Sequence, residues 1–310
     1  MAIFQRRQIR PEDIEHIAPH LKILEGHYGQ VQNSERGILL QNLLRDKAIS
    51  GLMLERLASS GDRKGTPVAL GITGFLTLDT AHALIATPPQ KSIVELVYQR
   101  EQNGTQLLLR PNDVAIENSG KGLALIFLHF YLPAGDPLSP DTQQALELMQ
   151  SSFRLHHGGY NCQLALHPGY SESPEGKESM LGMGFQPVGD GEHLLKFDLQ
   201  ALDQVPFHPF TCLRQKRAPV LHFSPAEKEL LLLALWGNDD AFIAERQGIS
   251  PDTVRKRWRS IFQKIEEQKE VNFFPNPEAS KIEKTRGPEK RKFVLQFIDA
   301  HLEEVRPFSS

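Results

Sequence analysis

The chain has 310 residues, 40% of them apolar and 24% charged, which suits one large or two medium domains with real cores and excludes large-scale disorder. Its formal net charge of −3 excludes nucleic-acid binding by bulk charge, so any such affinity has to come from a local patch. The two cysteines, Cys162 and Cys212, are far apart and lack ligand spacing, which argues against a disulfide scaffold or a structural zinc site and points to a reducing compartment.

The opening stretch MAIFQRRQIRPEDIEH has no apolar export core. The longest apolar run, 123–132, is too short to cross a bilayer and carries His129. A soluble, cytoplasmic protein without a membrane partner is expected.

Periodicity predicts a strand at 4–9, a helix from Pro11 to Leu24 and a second helix over 35–48 with Ile38, Leu39, Leu43 and Leu44 on one side. Strands are predicted at 52–58, 68–76, 93–100 and 107–109, followed by a central one buried on both faces at 123–132. A helix over 139–156, a strand at 163–167, a short helix at 177–183 and a closing strand at 193–197 complete an α+β region with mostly sheet in its middle. His156, His157 and His167 lie near Cys162 without metal-site spacing and read as a wet helix end before a strand, so no metal ligand is expected. Gly120-Lys121-Gly122 lacks the spacer and Ser/Thr of a P-loop and reads as a hairpin turn. Residues 204–220, with Pro206, Pro209 and Pro219, read as a semi-rigid linker.

Three consecutive helix signatures follow in 223–265. Ser224, Pro225 and Glu227 form a capping box ahead of the apolar run Leu230–Trp236, which Gly237 ends. A short helix over 240–247 stops at Gly248, the residue that a tight corner favours. Ser250 and Pro251 start a third helix, in which Val254, Trp258, Ile261 and Ile265 make an inward stripe while Arg255, Lys256 and Arg259 point away from it. The pattern predicts a helix-turn-helix. Beyond it, 271–278 reads as a loop, 281–292 is basic, and Phe293, Val294, Phe297, Ile298 and Leu302 give a last helix its apolar face.

The segments Ser224-Pro225-x-Glu227, Gly237, Ile243-Ala244-Glu245, Gly248-Ile249-Ser250, Thr253-Val254, Ile261 and Lys264-Ile265 together resemble the C-terminal DNA-binding domain of LuxR-type (GerE-type) bacterial transcription regulators. The resemblance covers about 45 residues. It implies a homodimer that reads double-stranded DNA through Ser250, Thr253, Arg255, Lys256, Arg257 and Arg259. Arg257 stands where the family usually has His, and 238–242 replaces a family run that carries a lysine.

The opening IRPEDIEHI and the run Met180-Leu181-Gly182-Met183-Gly184-Phe185-Gln186-Pro187-Val188-Gly189, with the order of elements, resemble the acyltransferase fold of the GNAT superfamily. That fold's phosphate loop corresponds to 134–141, where two prolines donate no N–H and two aspartates repel phosphate, and its usual tyrosine acid falls on Met180. The expectation is therefore α+β: a GNAT-like sensor or dimerisation domain at 1–204, a linker at 205–220, a helix-turn-helix domain at 221–267, and a basic loop with an amphipathic helix at 268–310. The expected function is transcription regulation by a protein that is not an enzyme, with no catalytic residue and no cofactor, its N-terminal domain serving a small-molecule effector or dimerisation. The alternative is an N-acyltransferase with an appended DNA- or partner-binding module.

Overall fold

The computed structural model describes residues 3–21, 34–59, 65–90, 92–131, 139–169, 174–190, 193–204, 208–214, 217–268 and 287–309. It is α+β with a seven-stranded mixed sheet. In chain order the elements of the sheet unit are β1 (Ile3–Gln8), α1 (Ile14–Ile17), α2 (Glu35–Arg45), β2 (Ile49–Leu57), β3 (Thr66–Thr77), α3 (Leu78–Ala86), α4 (Ile93–Gln102), α5 (Pro111–Ser119), β4 (Leu123–Tyr131), α6 (Pro140–His157), β5 (Cys162–His167), α7 (Pro174–Gly182), β6 (Gln186–Pro187) and β7 (Leu195–Asp198). The strands lie in the order β1-β2-β3-β4-β5-β7-β6, and β4–β5 is the parallel pair in an otherwise antiparallel ladder.

Alternation along β4 sends Ala124, Ile126 and Leu128 to one face, where they join Ile14, Ile17, Leu40, Leu43 and Val97. Leu123, Leu125 and Phe127 go to the other, with Phe185, Phe197 and Phe210. The edge strand β1 is fastened by charge: Arg7 grips the buried Glu55 with Nε and Nη2 at 2.8 and 3.1 Å and Asp13 with Nη1 at 2.6 Å.

Several expectations are corrected. Residues 93–100 form a helix, because Ser92 Oγ caps Val94 N–H and Ile93, Val94, Val97 and Tyr98 fall on one helical face. Residues 107–109 are no strand: the Leu107 and Leu108 amides are spent on Glu101 Oε1, each at 2.7 Å. With α3 and α5 also unforeseen, three helices interrupt the sheet between β3 and β4. The helix expected from Pro11 breaks into a 3-10 turn, α1 and a second 3-10 turn (Ala18–His20) at Pro19, which lacks an N–H. Its expected end at 22–24 lies outside the described residues. Gly120-Lys121-Gly122 is no hairpin turn but the exit of α5 into β4.

The expected wet helix end is dry. His157 is buried, with Nε2 2.7 Å from Thr73 Oγ1, and His167 is buried at the end of β5. Burial pushes His156 down to about 3 and His167 down to about 4. The linker is a packed segment as well: a 3-10 turn, Pro209–Leu213, buries Phe210 and Leu213.

Beyond it come α8 (Pro225–Leu235), α9 (Asp240–Gln247), α10 (Pro251–Glu267) and α11 (Gly287–Ala300). Leu230, Leu231, Ile243, Val254, Trp258, Ile261, Val294 and Ile298 share one core with Leu155 of α6. The helical unit is therefore seated on the sheet unit through a shared apolar residue. Among the described residues, no helix is long and apolar enough to cross a membrane.

Candidate functional site

Two places in the molecule combine unusual backbone with chemistry-bearing side chains. The first is the seam between β4 and β5. The strands pair at Leu123–Cys162, Ala124–Leu164, Leu125–Ala165 and Ile126–Leu166; the end of this pairing is a fork from which β4 runs on to Tyr131, β5 ending one residue later at His167. From Phe127 to Tyr131, β4 pairs with β3, and among the described residues its other edge carries no ladder partner. The register against β3 jumps at the same point: Thr73 faces Phe127 and Ile72 faces His129, leaving Leu128 as an extra residue. Such a bulge re-aims side chains. It turns His129 onto the α4 face, where its Nε2 lies 3.2 Å from the Tyr98 hydroxyl and the two rings stack at 5.9 Å. Tyr131, two residues on, meets the His20 ring in a tilted contact at 4.5 Å.

Burial alone pushes His129 down to about 4 and raises Tyr98. At neutral pH His129 is thus an uncharged imidazole whose Nε2 faces a protonated phenol. No sequence pattern marked this pair, because Tyr98 lies in a segment whose composition read as strand. The first turn of α6 is a poor diphosphate cradle: Pro140 has no N–H, the Thr142 amide is taken by Ser139 Oγ, and Asp141 brings a carboxylate. The preceding residues 132–138, most of the expected phosphate loop, lie outside the described residues. Met180 is on α7, packed against the Phe127 side of the sheet.

The second place is α10. Gly248 takes the left-handed conformation (φ 62°, ψ 35°) between α9 and α10, which lets the two helices turn within a few residues. Ser250 Oγ caps the Thr253 amide at 3.2 Å, so both hydroxyl residues are engaged in starting the helix. Arg255, Lys256 and Arg259 are exposed, and Arg257 is half-buried. Arg255 pairs with Asp252 one turn back, and Arg257 reaches Gln247 at 2.5 Å. Among the described residues Lys256 and Arg259 make no hydrogen bond or ion pair. The structure thus brings all six expected residues onto α10 and its cap and leaves two cations open. Residues 271–278 and the first half of the basic run 281–292 lie outside the described residues, whereas Lys290 and Arg291 on α11 pair with Glu266 and Asp240.

Glu227 anchors α10 from beneath, accepting from Ser260 Oγ and Lys264 Nζ, both at 2.7 Å, and from the Ser224 amide at 2.7 Å. Burial acts to raise its carboxyl, but the bonds from Lys264, Ser260 and Ser224 outweigh it and hold the group below the ordinary carboxylate range. A depressed acid contributes stability above its unfolded pKa and loses it as pH falls through the folded one. Glu227→Gln should therefore flatten the acid limb of a plot of Tm against pH. An unchanged limb would show that the carboxylate is not the anchor.

No family model and no curated protein matches the chain. Among solved structures, AtaT complexed with acetyl-methionyl-tRNAfMet superposes with a TM-score of 0.33 and 10% sequence identity, covering 66% of this chain and 99% of that one. The expectation that the chain is not an enzyme is given up. That expectation stood on the sequence of the phosphate loop and on Met180, and it took no account of the parted strands or of His129.

Proposed function

We propose that the chain is an acyltransferase-like protein with an appended nucleic-acid-binding helical unit, the sheet unit having the GNAT-type arrangement that its sequence resembles. The observation that supports this reading is the edge of β4 that has no ladder partner among the described residues past Ile126, with the Leu128 bulge and the His129–Tyr98 pair beside it. An unpaired strand edge inside a sheet recruits an extended ligand that offers amides, as an added strand does. A pantetheine arm has that chemistry, and its thioester would lie near the bulge. An amine attacking the thioester carbonyl has to give up its proton while the thiolate leaves, and the His129–Tyr98 pair is the candidate to receive it.

The donor is named as an acyl thioester on a pantetheine arm because the first turn of α6 offers little to a diphosphate. The test is thiol release from S-acetylpantetheine and acetyl-CoA with a panel of amines. His129→Gln should abolish release while leaving thioester binding within a few-fold. Equal release by wild type and variant would remove His129 from the chemistry.

For the helical unit, Gly248, the Ser250 cap and the open Lys256 and Arg259 support duplex DNA as the partner, in the manner of the LuxR-type resemblance. A side chain that neutralises one phosphate should, when removed, lower the slope of log affinity against log salt by about one. Lys256→Ala and Arg259→Ala, measured on the full chain by fluorescence anisotropy, should each either lower that slope or relax sequence preference by roughly 1–3 kcal/mol. Duplex affinity that neither substitution changes would exclude this face.

A further inference from the structure

The face of the sheet that carries Phe127 is covered at the fork between β4 and β5 by a segment that belongs to no strand or long helix of the sheet unit. The 3-10 turn Pro209–Leu213, on the way to α8, inserts Phe210 there. Its ring lies 6.0 Å from Phe127, the first β4 residue past the last pair with β5, and 5.5 Å from Phe153 of α6. It also meets Phe185 at 5.8 Å and Phe197 at 5.6 Å. His167, the last residue of β5, closes on Phe127 at 5.6 Å. Met180 of α7 packs against the same cluster.

Besides this burial, two hydrogen bonds tie the segment to the sheet unit. His208 Nε2 bonds the Met183 carbonyl at 2.8 Å, and the Gly159 amide donates to the Cys212 carbonyl at 3.1 Å. At its far end the chain is held by the helical unit's tail, where the buried Glu304 accepts from the Val220 and Leu221 amides at 3.0 Å.

We propose that Pro209–Leu213 is a plug: Phe210 fills the apex of the fork, and it has to withdraw before an acyl-thioester arm can lie along the free edge of β4. This rests on the acyl-thioester reading of the fork and adds its control. The gate is built into the connection to the nucleic-acid-binding unit, so occupancy of the fork and the seating of α8 are linked through eleven residues of chain, 214–224. A ligand that binds only the open form shows an affinity reduced by the fraction of open form, and removing the plug restores it.

The experiment is calorimetric titration of S-acetylpantetheine into the full-length chain and into Phe210→Ala and Phe210→Leu, with circular dichroism confirming the fold. A plug populated nine parts in ten or more makes Phe210→Ala bind about tenfold tighter or better, with Phe210→Leu between it and wild type. Where Phe210→Ala does not fold, Phe210→Leu and wild-type hydrogen exchange decide the matter. Saturating thioester should then speed exchange of the Gly159 amide, whose acceptor leaves with the plug. Saturable binding that is equal in wild type and variants, with Gly159 exchange unchanged, overturns the plug and leaves the thioester reading standing. No saturable binding to any folded form overturns the thioester reading and the plug with it.

Discussion

Trp258→Ala should unfold the helical unit rather than retune it. The ring is buried, its Nε1 donates to Asp240 Oδ1 at 3.2 Å, Phe262 stacks on it at 5.7 Å, and the Arg291 guanidinium of α11 lies over it at 4.5 Å. It is therefore the piece that α9, α10 and α11 have in common. Truncating a buried aromatic costs about 3–5 kcal/mol, a large part of the 5–15 kcal/mol that holds a typical domain together. Thermal melts followed by circular dichroism should show the α8–α11 transition moved to much lower temperature with the sheet transition retained. A variant that melts as the wild type does and loses only sequence preference on DNA would put Trp258 on the reading face and reverse the assignment.

Arg306→Ala should separate the two units. Arg306 is buried and spends its guanidinium on carbonyls; Nε donates to the Gly158 carbonyl at 2.6 Å and Nη2 to the Leu155 carbonyl at 2.5 Å, at the C-terminus of α6, where a cation is favoured. Its own carbonyl accepts from Lys228 Nζ of α8 at 2.6 Å, and the next residue, Pro307, accepts from Asn118 Nδ2 at 2.7 Å. One short tail thus stitches α5, α6 and α8 together. Hydrogen bonds from a charged group are worth about 1.5–3 kcal/mol each, so loss of both should cost roughly 3–6 kcal/mol. The wild type should melt in one transition and the variant in two. Arg306→Lys should restore little, since one ammonium cannot reproduce the fork that reaches both carbonyls. Unsplit melting of Arg306→Ala would show that the shared core at Leu155 suffices.

Legibility in the sequence followed how local each signal is. Ser224, Gly248 and Ser250 act through backbone within a few residues, and the three helices they delimit lie where the spacing predicts. The segment 93–100 misled because Ile93, Val94, Val97 and Tyr98 are β-branched or aromatic, while its helix is set by the Ser92 cap and by which face the core covers. The Leu128 bulge has no composition of its own; it exists only as a mismatch of register between two strands. Phe210 was read as linker because its partners lie 13–83 residues away along the chain, and a proline-rich stretch shows no periodicity when a single ring carries its packing. The buried histidines were missed for a related reason: the tail that covers the end of α6 arrives some 150 residues later.

The most direct test of the account is saturation of the fork itself. Amide-resolved NMR of the full-length chain during titration with S-acetylpantetheine should show saturable, one-to-one shifts confined first to Phe127–Tyr131 of β4 and to Leu166 and His167 of β5. Shifts that never saturate, or that fall elsewhere in both the wild type and Phe210→Ala, would contradict the claim that the parted strands are a thioester site.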